Sequence, residues 1–386
     1  MDISSEMIHS LLPVFLVSVL GSSVIQVGLI EGAAESIAMM ARLFSGILSD
    51  RLKKRKYLVI TGYSIGALMK PLFAIATSVA VVFWARFFDR LGKGIRGAPR
   101  DALIADVSPV ETRGASYGIR QSLDTFGAFC GPFLALFIMI LTAGNFRIVF
   151  WTAFIPGIIA VIILITMVHE QKRKETYFLT KLPQIRDLRK LPSPFKVVCI
   201  AGFLFTLSRF SEAFLLLRAQ NVGVDVKYIP LFMVIMNLFY FFTSYPVGNL
   251  SDRLGRTGLM KISLVILIFS DLVLAISPSW WFVAVGTALW GLHMGFSQGL
   301  LSALVADTAS PSLRGTAFGF FNLITGISLL LASVIAGFLW DQIGAEATFL
   351  AGALFAVAAF LVFTILIKRY KASFSVSNIT KLPRLS

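Results

Sequence analysis

The amino-acid sequence predicts an all-α membrane protein of about twelve transmembrane helices in two related six-helix halves. Three observations predict it: an apolar content too large for one soluble core, a train of span-length apolar stretches, and a set of motifs written twice. Of the 386 residues, 57% are hydrophobic, so much of that surface must face lipid instead of a water-shielded core. A bilayer-crossing helix needs roughly 20 mainly apolar residues, and the chain divides into stretches of that length.

Taken in order, Met1–Leu20 and Val24–Leu48 meet at an uncharged turn around Gly21, and a basic run of Arg51, Lys53, Lys54, Arg55 and Lys56 follows them. The next pair, Tyr57–Thr77 and Val79–Leu103, turns around Ser78. Ala115–Leu141 and Ile148–Val168 turn around Gly144 and complete a first half, 1–168. The polar stretch His169–Pro194 is too charged to enter lipid and reads as a linker. The second half, 195–367, repeats the plan: Phe195–Leu217, Tyr228–Leu250, Leu259–Ser277, then Trp280–Leu304 after a turn at Pro278, then Thr316–Leu339 and Ala347–Ile367. A basic tail, 368–386, opens with Lys368, Arg369 and Lys371.

The net charge of +15 is distributed with the same alternation. Basic residues crowd one set of loops and are nearly missing from the other, which under the positive-inside rule places both termini and the linker in the cytoplasm of an inner-membrane protein. The surplus therefore reports topology and contact with anionic lipid headgroups, and no nucleic-acid partner is expected. Cys130 and Cys199 each fall inside a span, so neither a disulfide framework nor a thiolate metal site is implied. The first apolar stretch lacks a basic leader and a small-residue cleavage site and reads as an uncleaved span.

The repeat is explicit. Gly46-Ile-Leu-Ser-Asp50-Arg51-Leu52 recurs as Gly248-Asn-Leu-Ser-Asp252-Arg253-Leu254, an offset of 202 residues. Ala102–Asp106 with Arg113-Gly114 and Gly118 recurs as Ala303–Asp307 with Arg314-Gly315 and Gly319, an offset of 201. Two matches in register argue for homologous halves. Matching Ser5-Glu6 to Ser211-Glu212 leaves Phe195–Thr206 without a counterpart, so the first helix reads as short at its cytoplasmic end.

Parallel halves joined by a basic linker resemble the major facilitator superfamily, whose sites lie between the halves near the bilayer midplane. Gly46–Lys56 is similar to that family's loop between helices two and three, with Lys53 where the pattern has Gly; the second copy keeps Gly255. Arg86, Gly92 and Gly94 are similar to its fourth-helix pattern, and the run Asp89–Asp101 resembles a bacterial subgroup with a charged fourth helix. Gly127-x-x-x-Gly131-Pro132 is similar to the fifth-helix motif of the family's antiporters without its trailing glycines. The resemblance implies a monomeric secondary active transporter working by alternating access. It also implies a cytoplasmic gate in which Asp50, with Arg51 and the repeat-related Asp252 and Arg253, docks near a helix start in the other half and favours the outward-facing state.

Intramembrane charge supplies the candidate site. Arg86, Asp89, Arg90, Lys93, Arg96 and Arg100 fall within an arc of roughly 120° at ~100° per residue. Facing lipid, Arg86, Arg90 and Lys93 alone would cost on the order of 9 kcal/mol, so the face looks into protein or water. Two readings stand. In one, these cations are neutralised by Glu31, Glu35 and Asp124 in a structural network. In the other, Arg90, Lys93 and Arg86, with Arg209, form a cationic wall for an anionic solute, guanidinium groups being suited to carboxylate or phosphate.

Glu35 lies ~16 Å below Val24 at ~1.5 Å per residue, level with Arg90, and its repeat position holds Asn237. Glu35, Glu31, Asp124 and Glu6 are the candidate proton-coupling groups. Asp124 with Arg120 and Arg209 with Glu212 are alternatively read as simple intrahelical pairs. His293 reads as a hydrogen-bonded packing residue or a relay; His9 and His169 carry no signal. Tyr240, Tyr245, Trp290 and Gln298 are read either as cavity lining or as packing. No metal or cofactor is predicted, since His293 has no second ligand at suitable spacing and Gly92-Lys93-Gly94 lacks the Walker pattern. No nucleophile, base and metal constellation points to an enzyme. The expected activity is transport of a small anionic organic solute, coupled to protons. Efflux of amphipathic compounds and a non-transporting receptor or scaffold are the alternatives.

Overall fold

The computed structural model describes residues 1–51, 55–109, 112–168, 192–297, 299–309 and 314–369, without the side chains of residues 50, 51, 113, 114, 194, 245, 246, 248–254, 314–316 and 366–369. Those residues form α-helices and short turns, with no strand among them. The helices are α1 (Asp2–His9), α2 (Leu12–Ser18), α3 (Val24–Arg51), α4 (Arg55–Ile75), α5 (Val79–Val107), α6 (Arg113–Leu141), α7 (Phe146–Met167), α8 (Ser193–Leu207), α9 (Ala213–Asn221), α10 (Pro230–Ala275), α11 (Trp280–Ser297), α12 (Leu300–Thr308), α13 (Arg314–Gln342) and α14 (Ala345–Arg369). Side chains such as Phe126, Leu141, Met167, Trp281 and Leu354 point outward, an inverted exposure that suits lipid.

Eight segments among the described residues are long and apolar enough to cross a membrane. The spans outside that set are the first, fourth, seventh and tenth of the sequence reading. The fourth, α5, is long enough but charged. The other three are each broken in two: α1/α2 at Ser10 and Leu11, α8/α9 across Ser208–Glu212, and α11/α12 near Gly299. Interrupted backbone and charge are tolerated at membrane depth only where protein or a cavity satisfies them, so these four spans mark the inside of the bundle. With each broken pair counted once and α10 as two spans, the described residues accommodate the expected twelve.

Gly255 explains the turn inside α10. It adopts φ 70°, ψ 156°, a conformation that side chains with a Cβ avoid, and it separates the eighth span from the ninth. The expectation of a tight loop in the second copy is thus met; Lys53, its counterpart in the first, lies outside the described residues.

The breaks also correct the proposed match of Ser5-Glu6 to Ser211-Glu212. Ser10 ends α1 with φ −67°, ψ −11° and Ser208 ends α8 with φ −77°, ψ −10°, so the two serines are the structural counterparts. Outside the breaks the halves are tied alike. Arg147 donates to the carbonyls of Ala74 and Ala76 at the end of α4, and Arg218 to those of Leu274 and Ala275 at the end of α10, filling acceptors that a helix leaves open. Between the halves α3 runs along α13 and α6 along α10.

Candidate functional site

Close packing turns the charged face of α5 inward. A Cβ on Gly62 of α4 would lie 2.6 Å from the Gly92 carbonyl oxygen, and one on Gly92 2.7 Å from that of Gly62, so the backbones touch and only glycine fits at both positions. The charges of α5 then meet partners on three sides. Arg86 Nη2 donates to Glu31 Oε2 at 2.6 Å, with both side chains sealed from solvent. Lys70 of α4 donates to Asp89 Oδ1 at 2.7 Å and to Ser5 Oγ at 3.1 Å. Arg90 Nε lies 3.1 Å from Glu35 Oε1 as an ion contact. Toward the end of the bundle Arg96 reaches Asp2 at 3.4 Å and lies over the Tyr63 ring, while Arg100 and Arg120 converge on Asp124 at 3.2 and 3.3 Å. The structural network is therefore present, with Glu31, Glu35 and Asp124 each against a cation.

Between the halves lies a cavity of about 610 Å³. The first half contributes Glu6, His9, Glu31, Glu35, Arg90 and Lys93; the second contributes Arg209, Glu212, Asn237, Asn322 and an aromatic wall of Phe205, Phe210, Tyr240, Trp290 and Phe321. A second chamber of about 430 Å³ shares Glu6, Glu35, Lys93 and Tyr240 with the first and continues to Asp2, Arg42, Arg100 and Asp124. At the opposite end the halves are joined: Gln220 donates to Ser18 Oγ at 2.6 Å, and the Asp341 carboxylate accepts from the backbone N–H groups of Val24 and Ile25 at 3.1 and 2.8 Å.

Of the three cations that line the main cavity, two have no ion pair among the described residues. Lys93 is exposed into both chambers and, among the described residues, has no carboxylate at ion-pair distance. Arg209 lines the main cavity with its guanidinium 5.9 Å from the Phe205 ring centroid. It forms no ion pair with Glu212, contrary to the intrahelical reading, because both residues lie in the α8/α9 break, where helical i,i+3 spacing no longer applies. Arg86, read as a candidate solute ligand, stands behind the wall in its pair with Glu31.

His9 is the residue that sequence reasoning passed over. Its Nδ1 lies 3.2 Å from Glu6 and its Nε2 3.7 Å from Glu31, so Glu6, His9, Glu31 and Arg86 form one continuous line from the cavity into the bundle. The Glu6/His9 spacing of one helical turn was the available signal. His293 is buried, bonded to Ser263 through Nδ1, and is a packing residue away from the cavity lining. Tyr240 and Trp290 do line the cavity. Tyr245, Gln298 and the gating side chains of Asp50, Arg51, Asp252 and Arg253 lie outside the described residues, as do His169, residues 170–191 of the linker and residues 370–386 of the tail. No cluster of three metal-binding side chains occurs among the described residues.

Two bundles of six spans around a central polar cavity, sealed at one end, define a multi-pass membrane transporter. The sequence profile of the Major Facilitator Superfamily matches residues 1–216 and 198–381, and the chain belongs to that family. An uncharacterised MFS-type transporter of Methanocaldococcus jannaschii is 35% identical over 92% of this chain and 89% of its own length. The quinolone resistance protein NorA of Staphylococcus aureus is 24% identical over 86% of this chain and 84% of its own. Among solved structures, the nucleoside transporter NupG superposes with a TM-score of 0.73 at 15% identity, covering 96% of this chain and 96% of that one, a likeness of fold.

Proposed function

We propose that the chain carries a small anionic organic solute across the inner membrane together with protons, as a monomer. The observation that carries this reading is the pair of uncommitted cations, Lys93 from one half and Arg209 from the other, facing one cavity. A solute held by both bridges the halves, and binding that differs between their two arrangements is what alternating access requires. The end of the bundle that the second chamber approaches carries Arg42, Arg100 and Arg120, so by the positive-inside rule the conformation is inward-facing, with the Asp341 contact on the outside.

Proton coupling follows from Glu35 and Arg90. Protonating Glu35 releases the Arg90 guanidinium, which then serves as a third donor to the solute. Proton and anion therefore bind together, and the Glu6–His9–Glu31 line offers the proton a path along the same wall. Gating by Asp50, Arg51, Asp252 and Arg253 completes the cycle. Both termini are assigned to the cytoplasm.

Titration calorimetry on purified protein with citrate and benzoate at two pH values tests this reading, with tetraphenylphosphonium as the cationic control. Losing a charged hydrogen bond costs ~1.5–3 kcal/mol, so Lys93→Ala and Arg209→Ala should each weaken anion binding about ten- to a hundredfold. Wild-type affinity in both variants would demote the two cations. Selective binding of tetraphenylphosphonium would favour the second reading, efflux of amphipathic compounds, which the aromatic wall and the likeness to NorA support.

A further inference from the structure

The repeat register exposes a site in the second half that the transport reading does not use. At an offset of 201 residues the contact of Gly62 with Gly92 becomes the contact of Ser263 with His293, which share hydrogen bonds of 2.8 to 3.1 Å. The same offset converts the buried Lys70–Asp89 ion pair into Asp271 and Trp290. The scaffold is thus kept while the basic partner is gone. Asp271 is fully buried, and neither of its carboxyl oxygens has a hydrogen-bond partner among the described residues; the Trp290 indole N–H is buried and unpartnered as well.

Asp271 sits one side-chain layer from the cavity. A Cβ on Gly352 of α14 would lie 2.7 Å from Asp271 Oδ2 and 2.7 Å from Phe210 Cε1, so the carboxyl lies behind the Phe210 ring. Phe210 packs on Trp290 with ring centroids 5.4 Å apart, and both rings line the cavity. The charged groups of neighbouring elements are otherwise engaged or turned elsewhere. Arg218 of α9 bonds Leu274, Ala275, Ser277, Asn221 and Glu346. Arg209 and Glu212 face the cavity, and His293 bonds Ser263.

We propose that Asp271 is a proton-binding site of the C-terminal half, separated from the central cavity by the Phe210 and Trp290 rings and exchanging its proton through them. An ionised carboxylate here would have neither counter-charge nor donor, which a dry interior penalises heavily, whereas the neutral acid fits. A metal cation is the poorer occupant: aromatic rings and a glycine cannot supply the six or so oxygen ligands that a hard cation takes. The site has no counterpart in the first half, where Lys70 stands at the position of Asp271 and is paired with Asp89.

Infrared spectroscopy of the full-length protein in lipid tests this without any solute, so its outcome is independent of the cargo reading. At neutral pH the wild type should show a protonated-carboxyl C=O band that shifts on 13C labelling of aspartate side chains and disappears in Asp271→Asn. Transfer to D2O should shift the band slowly, because the Phe210 ring stands beside the carboxyl on the cavity side. If Asp271→Asn does not fold, Phe210→Leu decides the matter: thinning the ring beside the carboxyl should keep the band and speed its shift in D2O, and an unchanged rate overturns the proposal. A wild type lacking the band, or a band unchanged in Asp271→Asn, overturns the proposal. A band that never shifts in D2O overturns it too, since it marks a sealed structural acid.

Discussion

The fourth span, α5, and the tenth, α11 with the α12 that follows its break, occupy equivalent places in the two halves yet share almost no chemistry. One repeat apart, Arg86 corresponds to Thr287, Asp89 to Trp290, Arg90 to Gly291, Lys93 to Met294 and Arg96 to Ser297. Their backbone neighbours correspond too, since Gly62 against Gly92 becomes Ser263 against His293. The helix scaffold therefore does not depend on the charges: one half builds the same packing from ion pairs and the other from aromatic, imidazole and hydroxyl groups. A cavity walled by both offers a solute charge on one side and an apolar, hydrogen-bonding surface on the other.

The comparison breaks most visibly if the ion pairs of the first half are dispensable. Lys70 and Asp89 are both buried, so Lys70→Met strands a carboxylate and should destabilise the protein by about 3–5 kcal/mol. Its readout is thermal unfolding and monodispersity in detergent. The double variant Lys70→Met, Asp89→Leu should recover most of the loss, because an apolar pair of similar volume leaves no charge unpaired. At the corresponding position Asp271→Asn should cost little, replacing one neutral side chain by another of its shape. A Lys70→Met variant as stable as wild type would mean that the two halves tolerate uncompensated carboxyls equally.

A second test concerns function. Glu35 has Asn237 as its counterpart, and Asn237 donates across the halves to the Ala128 carbonyl at 3.0 Å and carries no titratable group. If coupling through this position belongs to the first half, Glu35→Gln should abolish proton-driven accumulation in proteoliposomes while exchange between equal solute pools survives. Retained pH-dependent accumulation would move the coupling site to Glu31, Asp124 or Glu6. Loss of both activities would make Glu35 an ion-pair partner or solute ligand.

Much of this asymmetry is legible in the sequence. The repeat offsets place the halves, and Glu31, Glu35 and Asp124 are legible as the set of carboxylates able to neutralise the charged face of α5, though which meets which cation is not. What escapes is whatever depends on helix breaks. Arg209 and Glu212 look like an intrahelical pair until α8 ends at Leu207, whereas the contact of His9 with Glu6 lies within α1 and only its second carboxylate, Glu31 of α3, needed the packing to be seen. Asp271 looks like one polar residue in an apolar span. Its isolation appears only when packing shows that neither carboxyl oxygen meets a donor or a cation among the described residues.

The smallest expected effect concerns the ends of the bundle. Asp341 of α13 caps the start of α3 across the two halves, so a C-terminal-half carboxylate closes the side opposite the second chamber. The family resemblance assigns the matching role on the cytoplasmic side to Asp50, from the N-terminal half, so each half would supply one latch. A carboxylate at a helix start is worth about 1 kcal/mol, enough to shift a two-state population several-fold. In a background lacking Cys130 and Cys199, a cysteine at the cavity position Leu329 should react faster with an impermeant thiol reagent from outside when Asp341→Asn is introduced. Asp50→Asn should slow that labelling, and the double variant should lie between the two. Changes of the same sign in both variants would show that the carboxylates do not hold opposite states, and the division of latches between the halves would fall.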